Sequence, residues 1–116
     1  MITSDLQQVQ YMLEAAHAAL VFAEGKTQEK LFSDTRLVFA LVKALDLLGD
    51  AAAKVSAEGR AETRQVNWAY MLSLPRRVSH NNDDINLSVV WDTVTNELPP
   101  LIAQLQHIRL SHQRHV

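Results

Sequence analysis

Arg76, Arg77 and His80 are the residues of this chain whose types and spacing favour chemistry at a phosphate group. A guanidinium carries a permanent charge and a fork of hydrogen-bond donors that fits phosphate oxygens. An imidazole titrates near neutral pH and can accept or donate a proton. Arg76 and His80 are four positions apart, so they would share one face of a helix that continued that far. The alternative interpretation is an ordinary pair of solvated arginines.

The residues around this cluster limit the chemistry further. Pro75 predicts a kink or an end of the helix, because proline lacks the backbone donor and clashes with the preceding turn. The chain has no cysteine, which excludes disulfides and thiolate metal sites. His112 and His115 alone are too few to hold a metal ion. We therefore expect neither a metal site nor a cofactor.

Length and composition favour one globular domain, residues 1–116. Apolar residues make up 47% and charged residues 21%, and Gly and Pro are scarce, which disfavours a fold of many strands. The net charge of −2 gives no overall attraction for nucleic acid, so any RNA contact must be local. The basic tail after Glu97 is either a solvated helix end or an RNA contact. Neither a signal peptide nor a membrane span is expected, and we expect a cytoplasmic protein.

The elements that must position the cluster are helices. Apolar residues recur at steps of three and four, which predicts an all-α, up-and-down bundle of four to five helices. The predicted helices run from about Ser4 to Ala23, from Ser33 or Asp34 to near Gly59, and onward from the caps Asn67, Asn86 and Asn96. Ser4 and Gln7 have the form of a capping box, and residues 56–65 and 80–84 are predicted loops.

The second predicted helix is apolar on more than one side. A helix of this kind must bury two faces, and a second copy of the chain is the simplest cover for the outer one. We therefore expect a homodimer. Gly49 lies inside this helix, where glycine costs about 1 kcal/mol relative to alanine. A close approach of another helix is a physical reason to tolerate it.

Five short elements follow one another in an order and spacing that resemble the HepT-like branch of the HEPN superfamily. They are Leu48-Gly49-Asp50-Ala51-Ala52, Trp68, His80, Val90-Trp91 and Glu97-Leu98-Pro99. The resemblance covers about Leu37 to Leu105. It implies a dimeric helical bundle and a metal-independent endoribonuclease whose arginine and histidine face their copies across the dimer. It also implies a toxin, encoded beside a minimal nucleotidyltransferase antitoxin that can AMPylate a motif tyrosine.

Carried onto this sequence, the resemblance implies a site near the cluster described first. The candidate catalytic residues are His80, Arg76 and Arg77, and the candidate substrate-binding residues are Asp50, Asn81 and Asn82.

The chain departs from the family pattern at the centre of this site. Pro75 occupies the position of the family's arginine, Arg76 that of its asparagine and Asn82 that of its tyrosine. Either Arg76 takes over the phosphate contact, or the centre has decayed into a non-catalytic interaction or nucleotide-binding module that supports a partner nucleotidyltransferase. We expect impaired or altered ribonuclease activity, and the usual AMPylation hydroxyl is missing.

Overall fold

The computed structural model describes residues 1–79 and 84–113, and all regular elements in these two ranges are helices. The α-helices are α1 (Thr3–Ala23), α2 (Thr35–Lys54), α3 (Ala57–Ala61), α4 (Trp68–Val78), α5 (Leu87–Asp92) and α6 (Leu98–Gln113). A 3₁₀ helix, Gln28–Phe32, precedes α2, and a π-helical turn, Thr93–Glu97, joins α5 to α6. The predicted all-helical class is confirmed. Within the described ranges, no helix is both long enough and apolar enough to cross a bilayer.

The core lies where α1 and α2 pack along each other, with α4 against α2 and α6 against α1. Its largest fully buried side chains come from all four of these helices and include Met12, Leu41, Leu45, Leu48, Leu74, Leu98 and Leu105. Burying one such side chain contributes about 1.5–3 kcal/mol. This shared core of buried apolar side chains fixes the positions of α2 and α4 relative to each other.

Side-chain caps begin α2, α4 and α5. The carboxylate of Asp34 accepts from Leu37 N–H (3.0 Å), and the amide oxygens of Asn67 and Asn86 do the same for α4 and α5. The predicted capping box at Ser4 is wrong, because α1 begins at Thr3 without a side-chain cap.

The second helix ends at Lys54, earlier than predicted, because Ser56 is held by α1. Ser56 donates its backbone N–H to Asp5 Oδ1 (2.9 Å) and its hydroxyl to Oδ2 (2.6 Å). The same hydroxyl accepts from Gly59 N–H (3.0 Å) and so caps α3. The segment predicted as a loop therefore contains a short helix. Asp5 is buried, and these two bonds satisfy its carboxylate.

Pro75 does not stop α4, which continues to Val78. A Cβ atom on Gly49 of α2 would lie 3.1 Å from both Cδ and Cγ of the Pro75 ring. The predicted close approach at Gly49 is thus confirmed, and the proline ring is what approaches. The absence of a side chain at Gly49 makes room for the ring of Pro75, which lies within α4 rather than at its end.

Asn96 does not begin a new helix as predicted, because the chain passes from α5 to α6 without leaving the helix. In the π turn, Leu98 N–H donates to Thr93 O, five residues back, and this wider turn leads into the two prolines that start α6. Asn96 instead donates its side-chain amide to Asp92 Oδ1 (2.6 Å).

Candidate phosphate-binding groove

A surface groove of ≈ 660 Å³ lies between the C-terminal half of α4 and the start of α5. Its described lining residues are Ser73, Arg76, Arg77, Asn86 and Val89, and we call it the arginine groove. Both arginines are exposed. The groove therefore places two adjacent guanidinium groups at one concave surface.

The described residues at the two ends of the 80–83 segment hold α4 and α5 together beside this groove. Val78 O accepts a hydrogen bond from Asn86 N–H (2.8 Å), and Ser79 forms an antiparallel bridge with Ile85. Val78 is fully buried, so this junction is anchored in the core. The two helices that line the groove are thus joined at the end of α4.

Arg77 lies over the ring of Tyr70, with its Cζ atom 5.2 Å from the ring centroid. The Tyr70 hydroxyl hydrogen-bonds to Thr93 Oγ1 (2.7 Å), and Thr93 is fully buried at the start of the π turn. Burial, above all, raises the pKa of Tyr70 above its usual value, while the Thr93 hydrogen bond and Arg77 act in the opposite direction.

The polar groups of the groove are mainly hydrogen-bond donors. Within the described part of the chain, neither Arg76 nor Arg77 forms an ion pair with a carboxylate. Asn86 uses its side-chain oxygen to cap α5, which leaves its amide N–H groups as donors. Two positive charges and an amide donor suit an anion, and phosphate is one of the anions whose geometry matches the forked donors of a guanidinium group.

The structure brings two of the six predicted site residues to the groove, Arg76 and Arg77. His80, Asn81 and Asn82 lie outside the described residues. The condition for placing Arg76 and position 80 on one helical face is not met, because α4 ends at Val78 and Ser79 is extended (φ −144°, ψ 115°).

Asp50 lies exposed on α2, one residue after the Gly49 contact with α4, and is not among the described residues that line the groove. Burial and the nearby charge of Asp50 raise the pKa of Asp46, one turn earlier on the same helix, and Lys43 lowers it. The substrate-binding role of Asp50 stays a prediction.

Part of the basic tail bonds to the rest of the bundle. Arg109 donates from Nη1 to Gln10 Oε1 on α1 (3.1 Å), and His112 Nε2 lies 2.9 Å from the amine of Met1. Arg114 and His115 lie outside the described residues. For Arg109 the contact with α1, and for His112 the contact with Met1, favour a structural role over an RNA contact.

Sequence reasoning missed Tyr70 and Ser73 as neighbours of the arginines. Their spacing of seven and four positions before Arg77 is the helical spacing of one face, and this signal could have found them.

In the described ranges, no group of three or more His, Asp or Glu side chains is arranged to hold a metal ion.

Comparison with known families decides what kind of protein carries this groove. The model of the family described as ribonuclease HepT-like matches residues 12–108, which is most of the chain. The chain belongs to the ribonuclease HepT-like family. The resemblance drawn from the spacing around Trp68 and Trp91 is therefore confirmed. In this HepT-like protein, the arginine groove lies inside the matched region.

Relatives of the chain carry ribonuclease names. Two proteins named "Putative RNase" are similar to it. The one from Caldanaerobacter subterraneus subsp. tengcongensis is 24% identical over 86% of this chain and 89% of the relative. The one from Methanocaldococcus jannaschii is 25% identical over 84% of this chain and 80% of the relative. A "Probable ribonuclease HepT" from Thermococcus cleftensis is 24% identical over 84% of this chain and 92% of that protein. The comparison with solved structures gave no match.

Proposed function

We propose that this HepT-like protein binds RNA through phosphate groups in the arginine groove. The observation that carries the proposal is the pair of exposed guanidinium groups, Arg76 and Arg77, that no carboxylate of the described residues neutralises. A phosphate in the groove would also meet the amide donor of Asn86. Because the net charge of the chain is −2, the attraction is local to the groove.

We further propose that RNA bound there undergoes slow, metal-independent cleavage. In this reaction the 2′-oxygen attacks the adjacent phosphorus, the bond from phosphorus to the 5′-oxygen breaks, and a 2′,3′-cyclic phosphate and a 5′-hydroxyl form. His80 would take the 2′-hydroxyl proton, and the leaving 5′-oxygen would receive a proton from water or from the imidazole of a second copy. Arg76 and Arg77 would stabilise the charge that develops on the phosphorane oxygens.

Binding is tested with a labelled single-stranded RNA in EDTA at several salt concentrations. Each groove arginine that contacts a phosphate contributes about 0.7 to the slope of log affinity against log salt. We therefore expect Arg76→Ala and Arg77→Ala each to weaken binding and to reduce the slope by about that amount. Arg64→Ala, which removes an exposed arginine outside the groove, is the matched control and should leave both values unchanged. If Arg76→Ala and Arg77→Ala bind RNA as tightly as Arg64→Ala and the wild type do, the arginine groove is not the RNA-binding site.

Cleavage is tested on the same RNA with and without a single 2′-deoxy substitution. The proposal expects cyclic phosphate ends at a low rate, none at the deoxy site, and no activity in His80→Ala. Pro75→Arg, which places an arginine at the family's position, is expected to raise the rate. If neither the wild type nor Pro75→Arg cleaves the RNA, the proposed ribonuclease activity is rejected and only the proposed RNA binding remains.

A non-catalytic module that supports a partner nucleotidyltransferase is the second candidate. One observation favours it: Ser79 leaves the helix, so α4 does not pair Arg76 with position 80 on one face. This candidate predicts phosphate or nucleotide binding in the groove, no RNA cleavage, and co-purification with a partner nucleotidyltransferase. The toxin–antitoxin pairing and a cytoplasmic location belong to the same proposal and rest on the family.

We propose that the chain forms a homodimer through the outer faces of α1 and α2. A shallow groove of ≈ 390 Å³ there is lined mainly by apolar groups, including Tyr11, Phe22 and Leu47, and Phe39 lies exposed on the same helix as Leu47. Light scattering after gel filtration tests this. Phe39→Asp and Leu47→Asp should give monomers, whereas Leu110→Asp, at an exposed position on α6, should not.

A further inference from the structure

The ring of Tyr70 lies beneath one of the two groove arginines. Arg77 Cζ is 5.2 Å from the ring centroid, within the range at which the negative face of an aromatic ring attracts a guanidinium. Arg77 lines the arginine groove, whereas Tyr70 is not among its described lining residues. The ring therefore acts on the described part of the groove through Arg77.

Tyr70 is itself held at its hydroxyl end. This hydroxyl lies 2.7 Å from Thr93 Oγ1, and Thr93 is fully buried in the π turn between α5 and α6. The ring is thus fixed by its own helix, α4, and by the turn that follows α5. An arginine over a fixed ring samples fewer rotamers than an arginine in open solvent, so less entropy is lost when it binds a phosphate.

We propose that Tyr70 is a positioning residue that holds the guanidinium of Arg77 toward a phosphate in the arginine groove, an inference that rests on the RNA-binding function proposed above. The π turn has a part in this arrangement, because it supplies the buried hydroxyl that fixes the ring. Arg76 has no such support among the described residues, so the two adjacent arginines differ in how well they are preorganised.

The test is a cycle of four full-length proteins: wild type, Tyr70→Leu, Arg77→Ala and the double variant. Affinity for the labelled single-stranded RNA is measured at low salt. Loss of the preorganisation that the ring gives Arg77 predicts that Tyr70→Leu weakens binding about two- to tenfold. In the Arg77→Ala background the same substitution should have no further effect. Tyr70→Phe keeps the ring but loses its hydrogen bond to Thr93, so it should recover part of the loss.

The outcomes separate this inference from the proposed function. If Arg77→Ala weakens binding and Tyr70→Leu does not, the inference is overturned and the RNA groove stands. An equal loss from Tyr70→Leu in both backgrounds would make Tyr70 a general structural residue, which also overturns the inference. If Arg76→Ala and Arg77→Ala both bind RNA like wild type, the proposed function itself fails.

A second measurement does not depend on the folding of Tyr70→Leu. In the NMR spectrum of the wild-type protein, the ring current of Tyr70 should shift the side-chain protons of Arg77 upfield from their random-coil positions. Tyr70→Phe should keep this shift. Random-coil positions in folded wild-type protein would overturn the inference.

Discussion

The contact between Gly49 and Pro75 leads to a prediction about stability. Gly49→Ala should destabilise the protein when Pro75 is present and stabilise it when Pro75 is replaced by alanine. Gly49→Ala places a Cβ atom 3.1 Å from two atoms of the Pro75 ring and 3.5 Å from Met71 O. The ring cannot rotate away, because it is bonded to the α4 backbone at both ends. To relieve the contact, α2 and α4 must separate at this point by a few tenths of an ångström.

The magnitude follows from two opposing effects. In the middle of α2, alanine is better than glycine by about 1 kcal/mol. Overpacking a well-packed contact costs about 1–3 kcal/mol. We therefore expect Gly49→Ala to change stability by between zero and about 2 kcal/mol of destabilisation in wild type. In a Pro75→Ala background the two ring atoms are absent and the same substitution should stabilise by about 1 kcal/mol. The coupling between positions 49 and 75 is thus about 1–3 kcal/mol.

The assay is urea unfolding of wild type, both single variants and the double variant, at one protein concentration because dimerisation would add to the measured stability. For a chain of this size the coupling corresponds to about 4–12 °C in the melting temperature. Ala53→Gly is the matched control, since Ala53 is exposed on α2 one turn after Gly49. It should destabilise by about 1 kcal/mol in both backgrounds.

One result would refute the reasoning. If Gly49→Ala has the same effect in both backgrounds, within about 0.5 kcal/mol, the two residues do not interact. The glycine would then have no packing role, and α4 would not be fixed against α2 at this point. RNA affinity of the same variants gives a second readout, because a displaced α4 also displaces Arg76.

Two further predictions concern polar side chains at Trp68 and Asp46. Trp68 Nε1–H donates to Thr63 O (3.0 Å), so Trp68→Phe leaves this buried carbonyl without that donor and should cost about 1–3 kcal/mol in urea unfolding; a loss below about 0.5 kcal/mol would contradict this. Burial and Asp50 raise the pKa of Asp46 above 3.8, so its contribution to stability is present below pH 3.8 and is lost as pH rises through the folded-state pKa. Asp46→Asn should therefore raise the melting temperature at pH 7 and not below pH 3.8, and an equal gain at both pH values would refute it.

Local signals predicted most of the fold. The stripes on the first two helices and the caps Asn67 and Asn86 depend on residues three or four positions apart, and the structure confirms them. The end of α2 could not be predicted in this way, because it depends on the hydrogen bond between Ser56 and Asp5. These residues are 51 positions apart, so no local sequence pattern links them. The π turn was missed for a related reason: Asn96 is a good cap residue, and nothing nearby in the sequence shows that the helix continues through it.

The site was predicted less well than the fold. Arg76 and Arg77 were identified by their type, which is a property of the sequence. The arrangement of the arginine groove depends on a bridge between Ser79 and Ile85 and on a hydroxyl of Thr93, residues that tertiary packing brings together. The end of α4 at Val78 belongs to the same arrangement, because Ser79 is extended and bridges to Ile85.

The same helix that completes the core also presents the groove, and this links stability to binding. Leu74 and Val78 are fully buried, Pro75 lies against Gly49, and the next two residues are the exposed arginines. One residue advances the helix by about 100°, so the direction of each arginine is set by how α4 rests on α2. The resemblance places the family's arginine at position 75, and in this chain the proline that makes this contact stands there. Pro75→Arg therefore replaces the packing of the proline ring against Gly49 with a charged side chain. Because Gly49 has no side chain, it leaves space on α2 for the larger residue at position 75.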